Sequence, residues 1–437
     1  MQARLNSTFL SLKVRNYRLF FTGQLVSLIG WWMQAIGQDW LVLDHTDNSA
    51  AALGAVTALQ FAPVLLFTLY GGKLADRYDK RVLLLIANAI WTVLAIGMGV
   101  LVLSGGVTLG AIYVFAFLLG LVNAVETPVR QAFVSELVGP KLLPNAISLN
   151  ATAFNTARIV GPAVAGVAVA AFDVGPVFLI NGISYVAALA GLWFMRPADL
   201  FRDGLKVAKD GPAPRIVDGL RYVWRRPDLA LPIALVLVIG LLGFNFQLTL
   251  ALIAKTVFET GAAQFGLLTT ALAVGALGGA LASTQRRARP TSATVLGSAA
   301  IFGALETAVG FAPTFASMVV LLLPTGFFMV YFAQAANQRV QLGTDAALRG
   351  RVMALYVMVF LGTTPLGALL VGWLSSTFGP RPSVWVGGLA SLVAAGVAFA
   401  YRCWRRDLRV HVHLHPVRMH VGEARTMCVP AARPAVR

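Results

Sequence analysis

Few residues in this sequence can do charge-dependent chemistry, and several of them stand inside long apolar runs. Arg158 follows an uncharged stretch that begins at Asn145. At about 1.5 Å per residue it lies roughly 20 Å into that run. An uncompensated Arg at such depth in hydrocarbon costs about 2.5–3.5 kcal/mol. It must therefore face a polar interior or an acid, either as an anion or proton-relay contact or as a structural salt bridge. Glu126 and Arg130 are spaced i and i+4, with Asn123 one turn earlier. They suit a gate at the end of a helix, or a simple helix-end ion pair. Ser27, Trp31, Gln34 and Gln38 form a polar and aromatic stripe, and Asp39 follows it. Such a stripe faces an aqueous cavity. Asp39 reads as an outward-facing proton site or as an interfacial acid beside Trp40. Asn245, Gln247, Gln334 and Asn337, with Gln338 and Gln341, supply a comparable set later in the chain. Glu306 is a lone acid between 292 and 311 and reads as a packing residue. This chemistry is binding and proton exchange. No nucleotide loop, zinc-type spacing or Ser-His-Asp set appears, so neither an enzyme nor a cofactor or metal site is expected.

These residues need elements that hold them in a membrane. Of 437 residues, 58 % are hydrophobic and only 12 % charged, about half the charged share of a soluble domain. Twelve helical spans follow from the lengths of the apolar runs. They cover 19–42, 51–72, 82–103, 109–128, 145–171 and 176–195, then 229–253, 265–283, 292–311, 315–338, 352–378 and 383–401. The expected organisation is a segment 1–18, a six-helix bundle 19–195, a linker 196–228, a second bundle 229–401 and a basic tail 402–437 without folded structure. Part of the linker, 216–224, has helical spacing and would lie on the inner leaflet or form a solvated turn. His411, His413, His415 and His420 read as part of a solvated tail, with metal binding as the alternative.

The net charge of +17 is carried by loops on one side. With the N-terminus inside, 32 of the 35 Lys and Arg residues fall on inner segments and two, Lys255 and Arg381, on outer loops. This asymmetry predicts a multi-pass protein of the inner (plasma) membrane with both termini cytoplasmic, and it excludes nucleic acid as the partner of the charge. The halves also echo each other. Gly71-Gly72-Lys73-Leu74-Ala75 recurs as Gly278-Gly279-Ala280-Leu281-Ala282, Arg130 corresponds to Arg339, and Pro162 to Pro365. Equivalent features in equivalent spans predict two parallel six-helix repeats in an all-α fold.

The turn Gly72-Lys73-Leu74-Ala75-Asp76-Arg77-Tyr78-Asp79-Lys80-Arg81 resembles the loop signature of the major facilitator superfamily, with Asp79 where Gly is usual. Glu126-Thr127-Pro128-Val129-Arg130, Leu143-Pro144-Asn145-Ala146 and Asn155-Thr156-Ala157-Arg158-Ile159-Val160-Gly161-Pro162 resemble the branch that includes enterobactin exporters and macrolide-type efflux proteins. Gly161, Pro162 and Gly166 are similar to part of the antiporter signature, and Pro365 occupies the matching place in the second half. Many proton-driven drug exporters have an Arg in span four, and 115–120 has none.

The resemblance implies two bundles rocking about a central cavity, driven by protons. It also implies a lock at Gly72, Asp76, Arg77, Lys80 and Arg81 that shuts the cytoplasmic side. The expected function is export of a small amphipathic molecule by a monomer in the bilayer. The alternatives are uptake, facilitated diffusion or a transporter-like receptor. Asp76→Asn is expected to insert normally yet to stop cycling, checked by comparing membrane abundance with solute flux in reconstituted vesicles.

Overall fold

The computed structural model describes residues 9–201, 216–286, 288–345, 348–406, 408–414 and 417–423. After a 3-10 turn, Leu10–Lys13, the chain forms α1 (Arg15–His45), α2 (Ala50–Arg77) and α3 (Lys80–Leu103). Ser49 and Asp79 accept backbone N–H groups at the starts of α2 and α3, satisfying donors that have no intrahelical partner. Leu109–Phe172 follows as a 64-residue helical stretch. Unbroken, it would be about 96 Å long, three times a bilayer core. Gly139, at φ 67°, divides it. Glycine takes that backbone region without a steric penalty, and Pro140 suits the start of a new helix. The two limbs are α4 (109–138) and α5 (140–172).

The first bundle closes with α6 (Val174–Trp193), and a short helix, α7 (Ile216–Trp224), lies in the linker. The second bundle begins with a broken span, α8 (Pro227–Leu242) and α9 (Phe246–Leu252), ending in a π-helical turn, Ile253–Val257. Then come α10 (Ala262–Thr284), α11 (Ser292–Gly310), α12 (Phe315–Gly343), α13 (Arg349–Phe378) and α14 (Pro380–Arg406). Among the described residues, eleven helical stretches are long and apolar enough to cross a membrane; the length of Leu109–Phe172 makes the spans twelve. Helices suit this setting because each satisfies its own backbone hydrogen bonds where water is absent. Past residue 402, where composition alone predicts no folded structure, α14 continues to Arg406. A two-stranded antiparallel hairpin follows, β1 (Leu408–Leu414) with β2 (Val417–Glu423). His415, the N-terminal 1–8, linker residues 202–215 and the tail from 424 lie outside the described residues.

Small residues set the helix crossings. A β-carbon on Gly71 would collide with the carbonyl of Ala124, and one on Gly120 with that of Gln60, where α2 crosses α4. In the second bundle Gly279 meets the carbonyl of Phe327 and Gly326 that of Leu272, where α10 crosses α12. The two bundles therefore repeat one crossing. By packing, Gly71 corresponds to Gly279, one residue off the sequence echo that pairs it with Gly278. Gly72 faces open space, so the close approach belongs to its neighbour.

On the face that carries the basic loops, Tyr17, Phe20, Phe133 and Leu137 form a buried core of the first bundle. Tyr17 donates its hydroxyl to the Ala146 carbonyl at 3.0 Å. Lys80 pairs with Glu136 at 2.6 Å, and Arg81 donates to the carbonyls of Leu192 and Trp193. Gly279→Val should lose about 1–3 kcal/mol by overpacking against backbone. Gly72→Ala, in open space, should change little. Thermal unfolding of both variants in detergent checks this.

Candidate functional site

A cavity of about 600 Å³ lies inside the first bundle, within the usual size of a small-molecule site. Its polar wall includes Gln24 and Ser27 on α1, Asn123, Glu126, Thr127 and Arg130 on α4 and Asn150 on α5. The early part of α1, the end of α4 and the start of α5 supply these walls. The cavity therefore occupies the half of the bundle nearest the basic loops. Helical periodicity explains the convergence: Asn123, Glu126, Thr127 and Arg130 repeat at three and four residues along one face.

Arg130 Nε donates to Glu126 Oε1 at 2.9 Å. Glu126 is only 2 % exposed, so this is not the solvated helix-end pair that sequence spacing also allowed. Removing Arg130 would strand a buried carboxylate, a change costing about 3–5 kcal/mol. Asn123 Oδ1 accepts from Thr127 at 2.8 Å. Trp31, Trp91, Phe154 and Tyr185 add aromatic surface, and the rings of Trp91 and Tyr185 lie 5.3 Å apart. Trp91 Nε1 is buried and donates to no protein group. Trp91 and Tyr185 stand in spans whose apolar sequence carried no signal that singled them out.

Other candidates lie elsewhere. Asn181 Nδ2 donates to Gln34 Oε1 at 2.6 Å, tying α1 to α6. Gln38 Nε2 donates to Gln60 Oε1 at 3.2 Å. Both glutamines are buried in packing. Asn155 donates to the carbonyl of Ala151 in its own helix, and Asn245 to that of Leu241. Arg158 pairs with no acid among the described residues; its guanidinium stands 5.8 Å from the ring centre of Trp32. Gln334 is exposed and Asn337 half-buried on α12, outside the wall of this cavity. Asp76 is exposed, and Arg77 stacks 5.7 Å from Tyr78. Lys80 and Arg81 are held inside the first bundle.

Asp39 is buried against the other bundle and is not a solvated interfacial acid. It is 3 % exposed and accepts from Gln247 Nε2 at 2.8 Å. That bond joins α1 to α9, hence one bundle to the other, on the side away from the basic loops. Lys255 also pairs with Asp44 and stands 4.9 Å from the ring centre of Trp40. Trp40 in turn stacks on Phe265 at 6.5 Å. Glycine contacts flank this seal in two matching places. Gly54 and Gly372 bring α2 against α13, and Gly166 and Gly266 bring α5 against α10. Without side chains at these positions, the backbones approach closely. Pro162 lies at the same crossing, its carbonyl against Gly266; Gly161 instead packs on Trp32, and Pro365 lies within α13.

Two helical bundles with an internal cavity, pressed together on the opposite side, define a secondary transporter of small molecules in the major facilitator fold. The chain belongs to the transmembrane secretion effector family of that superfamily, whose sequence profile matches residues 6–425. It is 26 % identical over 374 residues to the staphyloferrin A transporter of Staphylococcus aureus, covering 83 % of this chain and 90 % of that one. It is 23 % identical over 389 residues to the enterobactin exporter EntS of Escherichia coli, covering 86 % and 89 %. Among solved structures, the nucleoside transporter NupG superposes with a TM-score of 0.70 at 12 % identity, over 90 % of this chain and 99 % of that one. A bacterial homologue of the lysosomal transporter Spinster, in an inward-facing and occupied conformation, gives 0.70 at 15 % identity, over 90 % and 98 %. The protein is a multi-pass membrane transporter and not an enzyme.

Asp39→Ala removes one partner of a buried hydrogen bond and strands the Gln247 amide, a loss of about 1–3 kcal/mol. The seal should then open more often. In a background with Cys403 and Cys428 replaced by Ser, Ala50→Cys should react with an impermeant maleimide about ten-fold faster once Asp39→Ala is added.

Proposed function

We propose that this transporter exports a small amphipathic solute, of the siderophore, drug or secondary-metabolite kind, from the cytoplasm in exchange for protons. The observation that carries the reading is the combination of a cavity near the basic loops with an inter-bundle seal on the other side. Under the positive-inside rule the basic face is cytoplasmic, so this arrangement is a loading state. The names of the Staphylococcus aureus and Escherichia coli relatives support a siderophore-like solute. So does the cavity wall, which sets aromatic rings beside a few amides, a carboxylate and a guanidinium.

In this proposal the solute enters from the cytoplasm and bonds to the groups around Glu126 and Arg130. A solute hydroxyl and a proton compete for the Glu126 carboxylate, so binding of one displaces the other. Rocking of the bundles breaks the bond between Asp39 and Gln247 and opens the far side. Asp39 and Arg158 are further protonation-linked contacts. Asp76, exposed in the loading state, caps a helix of the second bundle when the cytoplasmic side is closed, a contact worth about 0.3–2 kcal/mol. The protein acts as a monomer, with both termini cytoplasmic.

Everted vesicles with an imposed proton gradient should accumulate the solute, and collapse of the gradient should abolish accumulation. Glu126→Gln should leave equilibration intact while removing gradient-driven accumulation. Equilibration by the unsubstituted protein regardless of the gradient would instead establish facilitated diffusion.

A further inference from the structure

Arg158 takes its meaning from the wall that it extends. Ile147, Ala151 and Phe154 of α5 line the cavity. With Arg158 they follow at steps of four, three and four residues, on one face of the helix. Arg158 therefore continues that wall one turn deeper, about 5.4 Å past Phe154. On α1 the same step leads from Leu28, which lines the cavity, to Trp32. The two extensions meet. The guanidinium stands 5.8 Å from the centre of the Trp32 ring, and Phe154 packs edge-on against that ring. Gly161 closes on the Trp32 β-carbon and so fixes this side chain against α5. Directly after Arg158 the bundles touch, where the Ile159 carbonyl accepts from Thr270 of α10 at 3.3 Å. Arg158 thus stands at the deep end of the cavity, where open space gives way to the seal.

Its hydrogen-bonding capacity is unused. A guanidinium carries five N–H donors. Among the described residues Arg158 pairs with no acid and donates no hydrogen bond. The Trp32 ring is near the ~6 Å limit of a cation–π contact and offers no oxygen. Neighbouring acids are engaged elsewhere. Glu126 is held by Arg130 at 2.9 Å, and Asp39, two turns beyond Trp32, is held by Gln247 at 2.8 Å. Apart from Glu126 and Arg130 the cavity wall is uncharged. One positive charge therefore remains at the end of an otherwise balanced cavity, and ionisable groups at such depth mark substrate pathways. The fork of a guanidinium matches the two oxygens of a carboxylate. A phosphate carries nearly two charges and would leave one unmatched.

We propose that Arg158 binds a carboxylate of the transported solute, and so selects singly charged anionic amphiphiles over neutral ones. This rests on the reading of the cavity as the solute site. The carboxylate leads, and the rest of the solute lies along Phe154 and Trp31 toward Glu126.

Two fluorescent probes that differ in one group test this: dansylglycine, a carboxylate at pH 7, and dansylglycinamide, its neutral amide. Each is titrated into the purified full chain in detergent, with no gradient present. Dansylglycine should bind roughly ten-fold more tightly, the worth of one hydrogen bond to a charged group. Arg158→Gln should bring the two probes within about two-fold of each other while dansylglycinamide binds as before. Arg158→Lys, which keeps the charge without the fork, should retain part of the preference. A preference that survives Arg158→Gln would overturn the proposal. Loss of both probes in that variant would also overturn it, because the residue would then be structural. Equal binding of both probes by the unsubstituted protein would remove the carboxylate site and leave the export reading standing. Binding of neither would overturn the cavity reading along with it.

Discussion

The bond between Asp39 and Gln247 is the contact on which the state of this molecule depends. It joins two bundles that also touch along glycine-paved crossings, α2 on α13 and α5 on α10. Apolar helices gain little from meeting each other in lipid, because acyl chains are equally apolar. A buried hydrogen bond to a carboxylate is therefore a large part of what favours the closed side. The ion pair of Lys255 with Asp44 adds less, because Asp44 is half in solvent. The glycines supply proximity without specificity, and the polar bond supplies specificity without area. A seal built this way can open without dismantling either bundle.

The bundles themselves are held by different means. Within each, the crossings of α2 with α4 and of α10 with α12 press backbone on backbone, where an added methyl has no room. The Tyr17–Phe133 core and the pair of Lys80 with Glu136 consolidate the basic end of the first bundle. Rigid bundles that meet across a separable interface are what alternating access requires, because motion then concentrates at the interface. The break in the seventh span between α8 and α9 sits beside this interface, placing Asn245 and Gln247 where the helix is interrupted.

The two halves repeat their framework but not their chemistry. Gly71 and Gly279 do the same work, while the cavity and its Glu126–Arg130 pair belong to the first bundle alone. The second bundle has its own buried acid, Glu306, packed against Gly243 and Gly387 away from the cavity. The charged turn after α2 divides its labour: Asp79 caps α3, Lys80 and Arg81 tie the first bundle, and Asp76 is left exposed.

Sequence alone determined the spans, the repeat and the superfamily, because hydrocarbon admits only long apolar helices and tolerates cations chiefly at their ends. It also located Asn123, Glu126 and Arg130 on one face, since helical spacing is local. The tertiary structure decided which polar residues meet. Gln34 and Gln38 share the stripe with Ser27 and Trp31, yet only the latter two reach the cavity, because α6 and α2 cover the glutamines. Asp39 and Gln247 are 208 residues apart, and nothing local to either announces the other. Trp91 was invisible for the same reason: an aromatic in an apolar helix gains a role only from what packs around it.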